Sequence, residues 1–260
     1  MSDNPWTVDA DLSAAFARHL ATLRGAVRQA LVSRALLQHL HGGPMTVLDV
    51  GGGAGHLAIA LARLGHEVVL LDPDQAALDR AAAALDAEDD AVRSRMRLVR
   101  GSGEDDAAGL RPGGFDVVCC HGVLMYAPDP AALLGALVAA TSPGGLVSVL
   151  AKNGEGLAMR PGIEGRWSDA LAMFDRREEV GNLGVPSRGD SVRSVREGLA
   201  AAGAETIAWY GVRVFTDHLR DQPVGPDFDH VVAAEWEAGR RDPYRQVARL
   251  LHVLARRAAR

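Results

Sequence analysis

The segment VLDVGGGAGH, residues 47–56, decides the fold. Its first half, from Val47 to Val50, has the β-branched and apolar character of the end of a buried strand. Its second half places four glycines within five residues. Glycine permits tight turns and close approach of a ligand to the backbone, and the N–H groups that begin a following helix then face that ligand. The segment therefore predicts a strand, a ligand-binding turn and a helix in succession.

The sequence on either side of this segment alternates short β-branched runs with Ala- and Leu-rich stretches of helical length. This alternation predicts repeated βαβ units on a parallel sheet. The predicted strands are Thr46 to Val50, Glu67 to Asp72, Met96 to Arg100, Phe115 to Cys120 and Gly145 to Ala151. The predicted helices are Ala54 to Leu64, Asp74 to Leu85 and Pro130 to Thr141.

The flanking regions are predicted to be appended elements of a single domain covering residues 1–260. A helix is expected from Ala10 to Leu40, because apolar residues recur there at spacings of three and four, namely Leu12, Phe16, Leu20, Leu23, Val27 and Leu31. Beyond the core, Ser191 to Ala202 reads as a helix and Glu205 to Phe215 as a strand, while Leu250 to Ala255 fits either. The predicted parts are a helical cap (1–44), the binding core (45–152), a lid (153–190) and a C-terminal part of the sheet (191–260) with an insertion at 216–245.

Composition excludes several classes of protein. The net charge of −5 and the pI near 6.0 argue against a chain that binds nucleic acid through its overall charge, but leave a local basic face open. No stretch approaches the roughly 20 apolar residues of a membrane helix, and the acidic N-terminus is unlike a signal peptide, so we expect a cytoplasmic protein. Cys119 and Cys120 are predicted to be buried strand residues. No metal site is expected.

The spacing of the glycines indicates which ligand the turn binds. A dinucleotide fold requires G-x-G-x-x-G, but His56 occupies the sixth position, and the array is Asp49-x-Gly51-x-Gly53-x-Gly55. This array resembles the S-adenosylmethionine (SAM) site of class I methyltransferases. Asp72 ends the next strand, where a carboxylate is able to accept both ribose hydroxyls; capping the following helix is its competing role, unless Asp74 is the cap.

The chain also resembles one branch of these enzymes, the bacterial tRNA 5-carboxymethoxyuridine methyltransferases, which methylate the carboxylate of a modified wobble uridine. The resemblance covers LRGAVRQAL (23–31), GHEVVLLD, HGVLMYAPDP, GVRVFTDHLRD (211–221) and DPYRQVARLLHVLARR near the C-terminus. It implies a Rossmann-like α/β fold in which residues near 205–215 and 249–256 complete a seven-stranded, mostly parallel sheet with an antiparallel last strand and helices on both faces. It further implies that SAM contacts Arg28, Gly51, Gly52, Asp72, Gly103, Glu104 and His121; we add Gly53, Gly55 and Pro73 to the predicted cofactor site.

The acceptor is less well defined by the sequence. Where members of this family carry a lysine run, residues 175–190 read DRREEVGNLGVPSRGD, which weakens the expected attraction for RNA phosphates. tRNA and a small-molecule acceptor of an O- or N-methyltransferase therefore both stay open. The predicted substrate residues are Tyr126, Lys152, Asn153, Arg213 and His218, and His121 is predicted to lie near the reacting methyl group. A carboxylate acceptor needs no base, whereas a phenol, hydroxyl or amine would use His121 or His218.

Two other classes share parts of the pattern. A nicotinamide-dependent reductase also carries the early βαβ unit and an acid equivalent to Asp72, but His56 and the lack of a Tyr-x-x-x-Lys pair argue against it. A module that binds SAM without chemistry is the other alternative.

Overall fold

The computed structural model describes residues 18–180 and 184–259. Strands in these ranges are β1 (Thr46–Val50), β2 (Glu67–Asp72), β3 (Met96–Arg100), β4 (Phe115–His121), β5 (Thr141–Lys152), β6 (Glu178–Val180), β7 (Pro186–Arg188), β8 (Ala204–Val212) and β9 (Leu250–Arg257). Helices are α1 (Leu23–His39), α2 (His56–Arg63), α3 (Gln75–Asp86), α4 (Asp90–Arg93), α5 (Ala107–Leu110), α6 (Pro130–Ala140), α7 (Met159–Ile163), α8 (Trp167–Phe174), α9 (Val192–Ala201) and α10 (Phe228–Gly239). Short 3-10 turns lie at Leu124–Tyr126, Gly154–Gly156, Asp217–Leu219 and Tyr244–Val247.

Seven of the strands form one sheet in the order β3-β2-β1-β4-β5-β9-β8. The pairs from β3 to β5 are parallel, and β9 runs antiparallel to both β5 and β8. This confirms the predicted seven-stranded, mostly parallel sheet with an antiparallel last strand. It also resolves the ambiguous segment after residue 249 as a strand. Because β1, β2, β3, β4 and β5 all point the same way, their carboxyl ends meet at one edge of the sheet, which is where parallel sheets bind ligands.

Apolar side chains of the central strands point alternately to two helical layers, as the period of two requires. Leu146 and Leu150 belong to the cluster that also contains residues of α1, α2, α3 and α10, whereas Val147 and Val149 belong to the cluster under α6 and α9. Cys119 and Cys120 are both free and fully buried, one in each cluster, which confirms that they are core residues of a strand. None of the described helices is both long and apolar enough to cross a membrane.

The N-terminal helix differs from its prediction. A continuous helix from Ala10 to Leu40 is wrong, because α1 begins at Leu23 with Thr22 as its N-cap, and the Thr22 hydroxyl accepts from the N–H of Gly25. The preceding turn passes so close that a Cβ on Gly25 would lie 2.4 Å from the carbonyl oxygen of His19. Leu12 and Phe16 of the predicted pattern lie outside the described residues.

The strand predicted from Glu205 to Phe215 ends earlier, at Val212. Arg213 has a φ of +63°, a left-handed conformation that interrupts an extended strand. The predicted lid, residues 153–190, contains α7, α8 and the antiparallel pair of β6 and β7. Residues 181–183 of the lid are not among those described.

A buried glutamate anchors the segment that follows β8. Glu235 of α10 is 1% exposed, and its carboxylate accepts from the backbone N–H groups of Val214, Phe215 and Thr216 at 2.7, 3.0 and 2.8 Å. The Thr216 hydroxyl adds a fourth bond at 2.6 Å. One carboxylate thus satisfies four donors and fixes the backbone on which Arg213 and Asp217 are carried.

We expect Glu235→Gln to lower the free energy of unfolding by about 3 kcal/mol, because an amide NH2 would face a backbone N–H and charge-assisted bonds would be lost. Urea unfolding followed by circular dichroism measures this change. Glu237→Gln is the matched control, since its side chain is 43% exposed and pairs only with surface arginines. Equal losses in the two variants would contradict the anchoring role.

Candidate active site

The glycine turn between β1 and α2 is crowded on one side and open on the other. Gly51 and Gly53 have φ angles of +66° and +56°, which favour glycine. A Cβ on Gly51 would lie 2.2 Å from Cγ2 of Val123, and one on Gly52 would lie 2.7 Å from Oδ2 of Asp49. A Cβ on Gly53 would meet nothing within 4 Å. The first two glycines therefore permit tight packing, and the third leaves its backbone accessible to a ligand.

Asp72 links this turn to the end of β2. Its Oδ2 accepts from the N–H of Gly53 at 2.8 Å, and its Oδ1 accepts from the N–H of Asp74 at 2.9 Å. Asp74, rather than Asp72, caps α3 by accepting from the N–H of Ala76. The Asp72 carboxylate is thus fixed beside the open side of the turn, and its remaining lone pairs are free to accept from ribose hydroxyls, the role that the sequence predicts.

A pocket that is open to solvent lies beside the turn. Its polar lining comes from α1, the end of β1, the turn, the first residue of α2 and the end of β4, namely Arg28, Gln29, Ser33, Asp49, Gly51, Gly52, His56 and His121. Of the predicted cofactor residues, Arg28, Gly51, Gly52 and His121 therefore line one pocket.

The other predicted cofactor residues lie along the same edge of the sheet. Asp72 and Pro73 follow β2, next to the turn, while Gly55 immediately precedes α2. Gly103 packs so closely against the end of β1 that a Cβ there would lie 2.5 Å from Cγ1 of Val50. Glu104 follows it, and burial together with the charge of Asp105 raises the pKa of Glu104.

Opposite charges face each other in the pocket. Burial, followed by repulsion from Asp72, raises the pKa of Asp49 to about 7, and the cation of Arg28 opposes this shift. Burial and repulsion from Arg213 lower the pKa of Arg28 to about 10, so its guanidinium stays charged at neutral pH. Arg28 Nη2 donates to the carbonyl oxygen of His121 at 2.8 Å. An amino-acid group fits these charges, because Asp49 suits its ammonium and Arg28 its carboxylate, while the open turn and Asp72 suit an adenosine.

Two of the predicted substrate residues are buried basic side chains. Lys152, at the end of β5, is 5% exposed, and its Nζ lies 2.9 Å from Oε1 of Glu179. Burial, and then repulsion from Arg249 and other arginines, lowers the pKa of Lys152 to about 7. Arg213 is 7% exposed, and its Nη2 lies 3.2 Å from Oδ1 of Asp217.

The other three predicted substrate residues differ in their surroundings. Tyr126 ends the 3-10 turn after β4, and the charges of both Arg28 and Arg249 act on its hydroxyl. The Asn153 amide nitrogen donates to two backbone carbonyls, those of Gln246 and Ala248, and its oxygen accepts from the Glu155 N–H, so this side chain supports the loop. His218 lies in the 3-10 turn Asp217–Leu219 and is half-buried.

Four arginines converge on Asp217. We call Arg24, Arg160, Arg213 and Arg249 the arginine cluster. Arg160 Nη1 and Arg249 Nε each lie 3.7 Å from Asp217 Oδ2, while Arg24 Nη1 donates to the backbone oxygen of Asp217 at 3.2 Å. Glu179 pairs with Arg249 and Lys152, and Asp221 pairs with Arg24. Among the described residues, Nε of Arg24 and Nε of Arg213 are buried without a hydrogen-bond partner, so the cluster has donors available for an additional anion.

Repulsion between the arginines of the cluster contributes to lowering their pKa values. Burial is the main cause that lowers the pKa of Arg249 to about 9, and repulsion from the neighbouring arginines is the second. Burial also lowers the pKa of Arg213, with Asp217 opposing the shift. The side-chain oxygens of Asp217 are buried without a well-aligned hydrogen bond from any described residue. An anion that entered here would relieve the repulsion.

Sequence reasoning did not identify several residues of this region. Arg24, Asp217, Arg249 and Glu179 are ordinary charges in the sequence, and only their burial distinguishes them. Gln29 and Ser33 of α1 are missed because the helical period marks the apolar side that packs on the sheet. In residues 18–180 and 184–259, no group of three or more His, Cys, Asp or Glu side chains is arranged to hold a metal ion.

We expect Asp72→Asn to weaken binding of S-adenosylhomocysteine (SAH) by about 30-fold, roughly 2 kcal/mol, because the amide loses acceptor capacity and its NH2 would oppose a backbone N–H. Isothermal titration calorimetry measures the dissociation constant. Asp79→Asn is the control, since Asp79 is an exposed residue of α3 that bonds only to Gln75. An unchanged affinity in the Asp72 variant would refute its assignment to the ribose.

Binding of SAH should also strengthen by about tenfold between pH 6 and pH 8, because Asp49 is protonated below its pKa of about 7 and carries the charge that attracts an ammonium above it. His56 also lines the pocket, and burial together with the charge of Arg28 lowers its pKa. Calorimetry across this range, in wild type and Asp49→Asn, tests the assignment. The pH dependence should disappear in the variant, and its persistence would assign it to another group.

Comparison with known proteins agrees with this geometry. Residues 48–147 match the family described as Methyltransferase domain. The tRNA 5-carboxymethoxyuridine methyltransferase of Escherichia coli (strain K12) is 30% identical over 252 residues, 95% of each chain. The ubiquinone biosynthesis O-methyltransferase of Xanthomonas campestris pv. campestris (strain B100) is 37% identical over 101 residues, which are 38% of this chain and 39% of that one.

Solved structures share the fold at lower identity. A SAM-dependent methyltransferase from Mesorhizobium loti has a TM-score of 0.60 at 21% identity, covering 86% of this chain and 96% of that one. The Burkholderia thailandensis 1,6-didemethyltoxoflavin-N1-methyltransferase, solved with bound 1,6-didemethyltoxoflavin and SAH, has a TM-score of 0.58 at 20% identity, covering 90% of this chain and 79% of that one. With the match along nearly the whole chain to the E. coli enzyme, they identify this chain as a SAM-dependent methyltransferase that belongs to the tRNA 5-carboxymethoxyuridine methyltransferase family.

Proposed function

We propose that this enzyme transfers a methyl group from SAM to the carboxylate of 5-carboxymethoxyuridine at the wobble position of tRNA, in the cytoplasm. The observation that carries the proposal is the arginine cluster beside the cofactor pocket. Arginines that repel one another and keep buried N–H donors without a partner in the described part of the chain suit an acceptor that brings its own negative charge. The relative with 95% coverage bears the name of the same reaction.

The arginine cluster and the cofactor pocket are adjacent. Arg213 contributes to the lowered pKa of Arg28, which lines the pocket, and Arg213 Nη1 lies 3.3 Å from Nε2 of His19. Tyr126 is within electrostatic reach of both Arg28 and Arg249. An acceptor carboxylate held by the cluster would therefore lie close to the end of the cofactor pocket.

The chemistry requires positioning rather than proton transfer. When bound, SAM supplies an electrophilic methyl group on a sulfonium that is already a good leaving group. A carboxylate is ionised at neutral pH, so the chain needs no general base for it. In this proposal Arg213 and Arg249 hold the acceptor oxygens and Tyr126 borders the path to the pocket, while Arg28, Asp49 and Asp72 hold the donor. Orienting the two reactants in line is the main catalytic contribution.

Exposed aromatic side chains near the predicted lid provide contacts for an RNA loop. Trp167 and Phe174 of α8 are 69% and 75% exposed, and Tyr244 is 52% exposed. Unpaired bases stack on such side chains with little dependence on sequence. Stacking would compensate for the lack of net positive charge in residues 175–190, where four acids outnumber three arginines.

The same exposed apolar surface supports a second candidate, the small-molecule acceptor of an O- or N-methyltransferase. Leu171, on the same helix as Trp167, is 70% exposed, and such a surface would also cover an apolar ligand. The partial match to ubiquinone biosynthesis O-methyltransferases favours this class, although it covers only 38% of the chain.

Methylation of purified tRNA tests the proposed function. We expect label from radioactive SAM to enter tRNA that carries 5-carboxymethoxyuridine, to be released by mild alkali as a methyl ester is, and to be absent with unmodified tRNA. In this assay Arg213→Gln should raise KM for tRNA at least about tenfold, the effect of one charge-assisted contact, and leave SAH binding within twofold.

Arg97→Gln is the matched control, because Arg97 is exposed on β3 at the far edge of the sheet. Thermal denaturation checks that each variant is folded. Transfer to small molecules but not to tRNA would replace the proposed acceptor by the second candidate. An unchanged KM in Arg213→Gln would refute the carboxylate site.

A further inference from the structure

A serine joins two histidines across three neighbouring strands of the sheet. Ser148 of β5 is fully buried, and its Oγ lies 2.8 Å from Nε2 of His121 on β4 and 2.8 Å from Nε2 of His252 on β9. His252 is also fully buried. The two rings lie edge to face with centroids 5.3 Å apart. The cofactor pocket ends at His121, so this connection runs from the pocket into the core.

Both imidazoles are neutral in this setting. Burial is the main cause that lowers the pKa of His252 to about 3, with the charge of Arg28 adding to it. Burial, His252 and Arg28 hold the pKa of His121 well below its ordinary value. A neutral imidazole carries one proton, on Nδ1 or on Nε2, and the atom that carries it is set by the hydrogen bonds of both nitrogens.

The hydroxyl of Ser148 has one proton and two acceptor lone pairs. If both imidazoles donated to it, its own O–H would have no acceptor. It therefore donates to one Nε2 and accepts from the other. His252 decides the direction, because its Nδ1 is buried with no hydrogen-bond partner among the described residues. An orphaned buried N–H is rarer in proteins than an orphaned acceptor, so the proton of His252 belongs on Nε2.

We propose that Ser148 and His252 are positioning residues that hold His121 with its proton on Nδ1, so that His121 donates a hydrogen bond into the cofactor pocket. His252 Nε2–H donates to Ser148 Oγ, and the Ser148 hydroxyl donates to Nε2 of His121. Because that nitrogen is occupied, Nδ1 is the ring atom left for a ligand. With the guanidinium of Arg28 beside it, His121 forms a pair of donors suited to the carboxylate of the methionine part of SAM.

The residues around Ser148, His121 and His252 indicate that these three side chains have a role beyond packing. The neighbouring residues of β5 and β9 on this side of the sheet, Leu150 and Leu254, are apolar and fully buried. Three polar side chains among them cost desolvation that apolar residues would avoid. The inference rests on the cofactor pocket and is independent of whether the acceptor is tRNA.

Nitrogen-15 NMR of histidine-labelled protein, with and without SAH, tests the proton positions, since each ring nitrogen reports whether it carries a proton. We expect His121 to be protonated on Nδ1 and His252 on Nε2 in the wild type. In His252→Gln, whose amide N–H replaces the Nε2–H, His121 should keep its tautomer. In Ser148→Ala it should become a mixture. Protonation of His121 on Nε2 in the wild type would overturn the proposal.

Binding provides the second readout. Ser148→Ala should weaken SAH binding about tenfold, the effect of one misoriented hydrogen bond, and raise KM for SAM with little change in kcat. Cys119→Ala is the matched control, because Cys119 is equally buried, lies beside Ser148 in the strand register and faces the same cluster. It should lower thermal stability without changing SAH affinity. Equal SAH affinities in the two variants would reduce Ser148 to a packing role and refute the inference.

Discussion

The hydrogen bond between the Asp72 carboxylate and the N–H of Gly53 is the interaction on which the cofactor site depends. A turn built from three consecutive glycines has large conformational freedom, and fixing it requires an external partner. Asp72 is that partner, and its second oxygen is itself oriented by the N–H of Asp74. The turn is therefore fixed by the end of the neighbouring strand, which brings the Asp72 carboxylate and the accessible backbone together.

Two groups of charged side chains lie near this edge of the sheet. On the cofactor side, Asp49 and Arg28 face each other, and an amino acid zwitterion complements both. Beside the pocket, the arginines of the cluster repel one another: after burial, Arg160 and Arg24 lower the pKa of Arg249. Such repulsion destabilises the folded state, and Glu235 opposes it by fixing the backbone that carries Arg213 and Asp217. The arginine cluster thus lowers the stability of the fold and creates a positive field that attracts an anion.

The parts of the fold that local sequence rules could predict are those with strong periodicity. The strands β1, β2 and β3 have their predicted bounds, because short β-branched runs between helices leave little ambiguity. The end of β8 was missed because the left-handed conformation of Arg213 leaves no mark in the sequence. The break before α1 was missed for a related reason, since the helical spacing continues through Thr22. The predicted cofactor residues are brought to one edge, but burial alone distinguishes Arg24 and Arg249 from surface arginines, and burial is a property of the fold.

The state of His121 bears on the kind of acceptor that the site can use. A phenol or an amine needs a group that takes up a proton, and the sequence offers His121 and His218 for this role. In the structure, one ring nitrogen of His121 is occupied by Ser148, and burial and nearby Arg28 keep the ring from accepting a proton near neutral pH. A histidine in this state is a poor general base and a good fixed hydrogen-bonding group. Chemistry that needs only orientation, as methyl transfer to a carboxylate does, is the chemistry this environment favours.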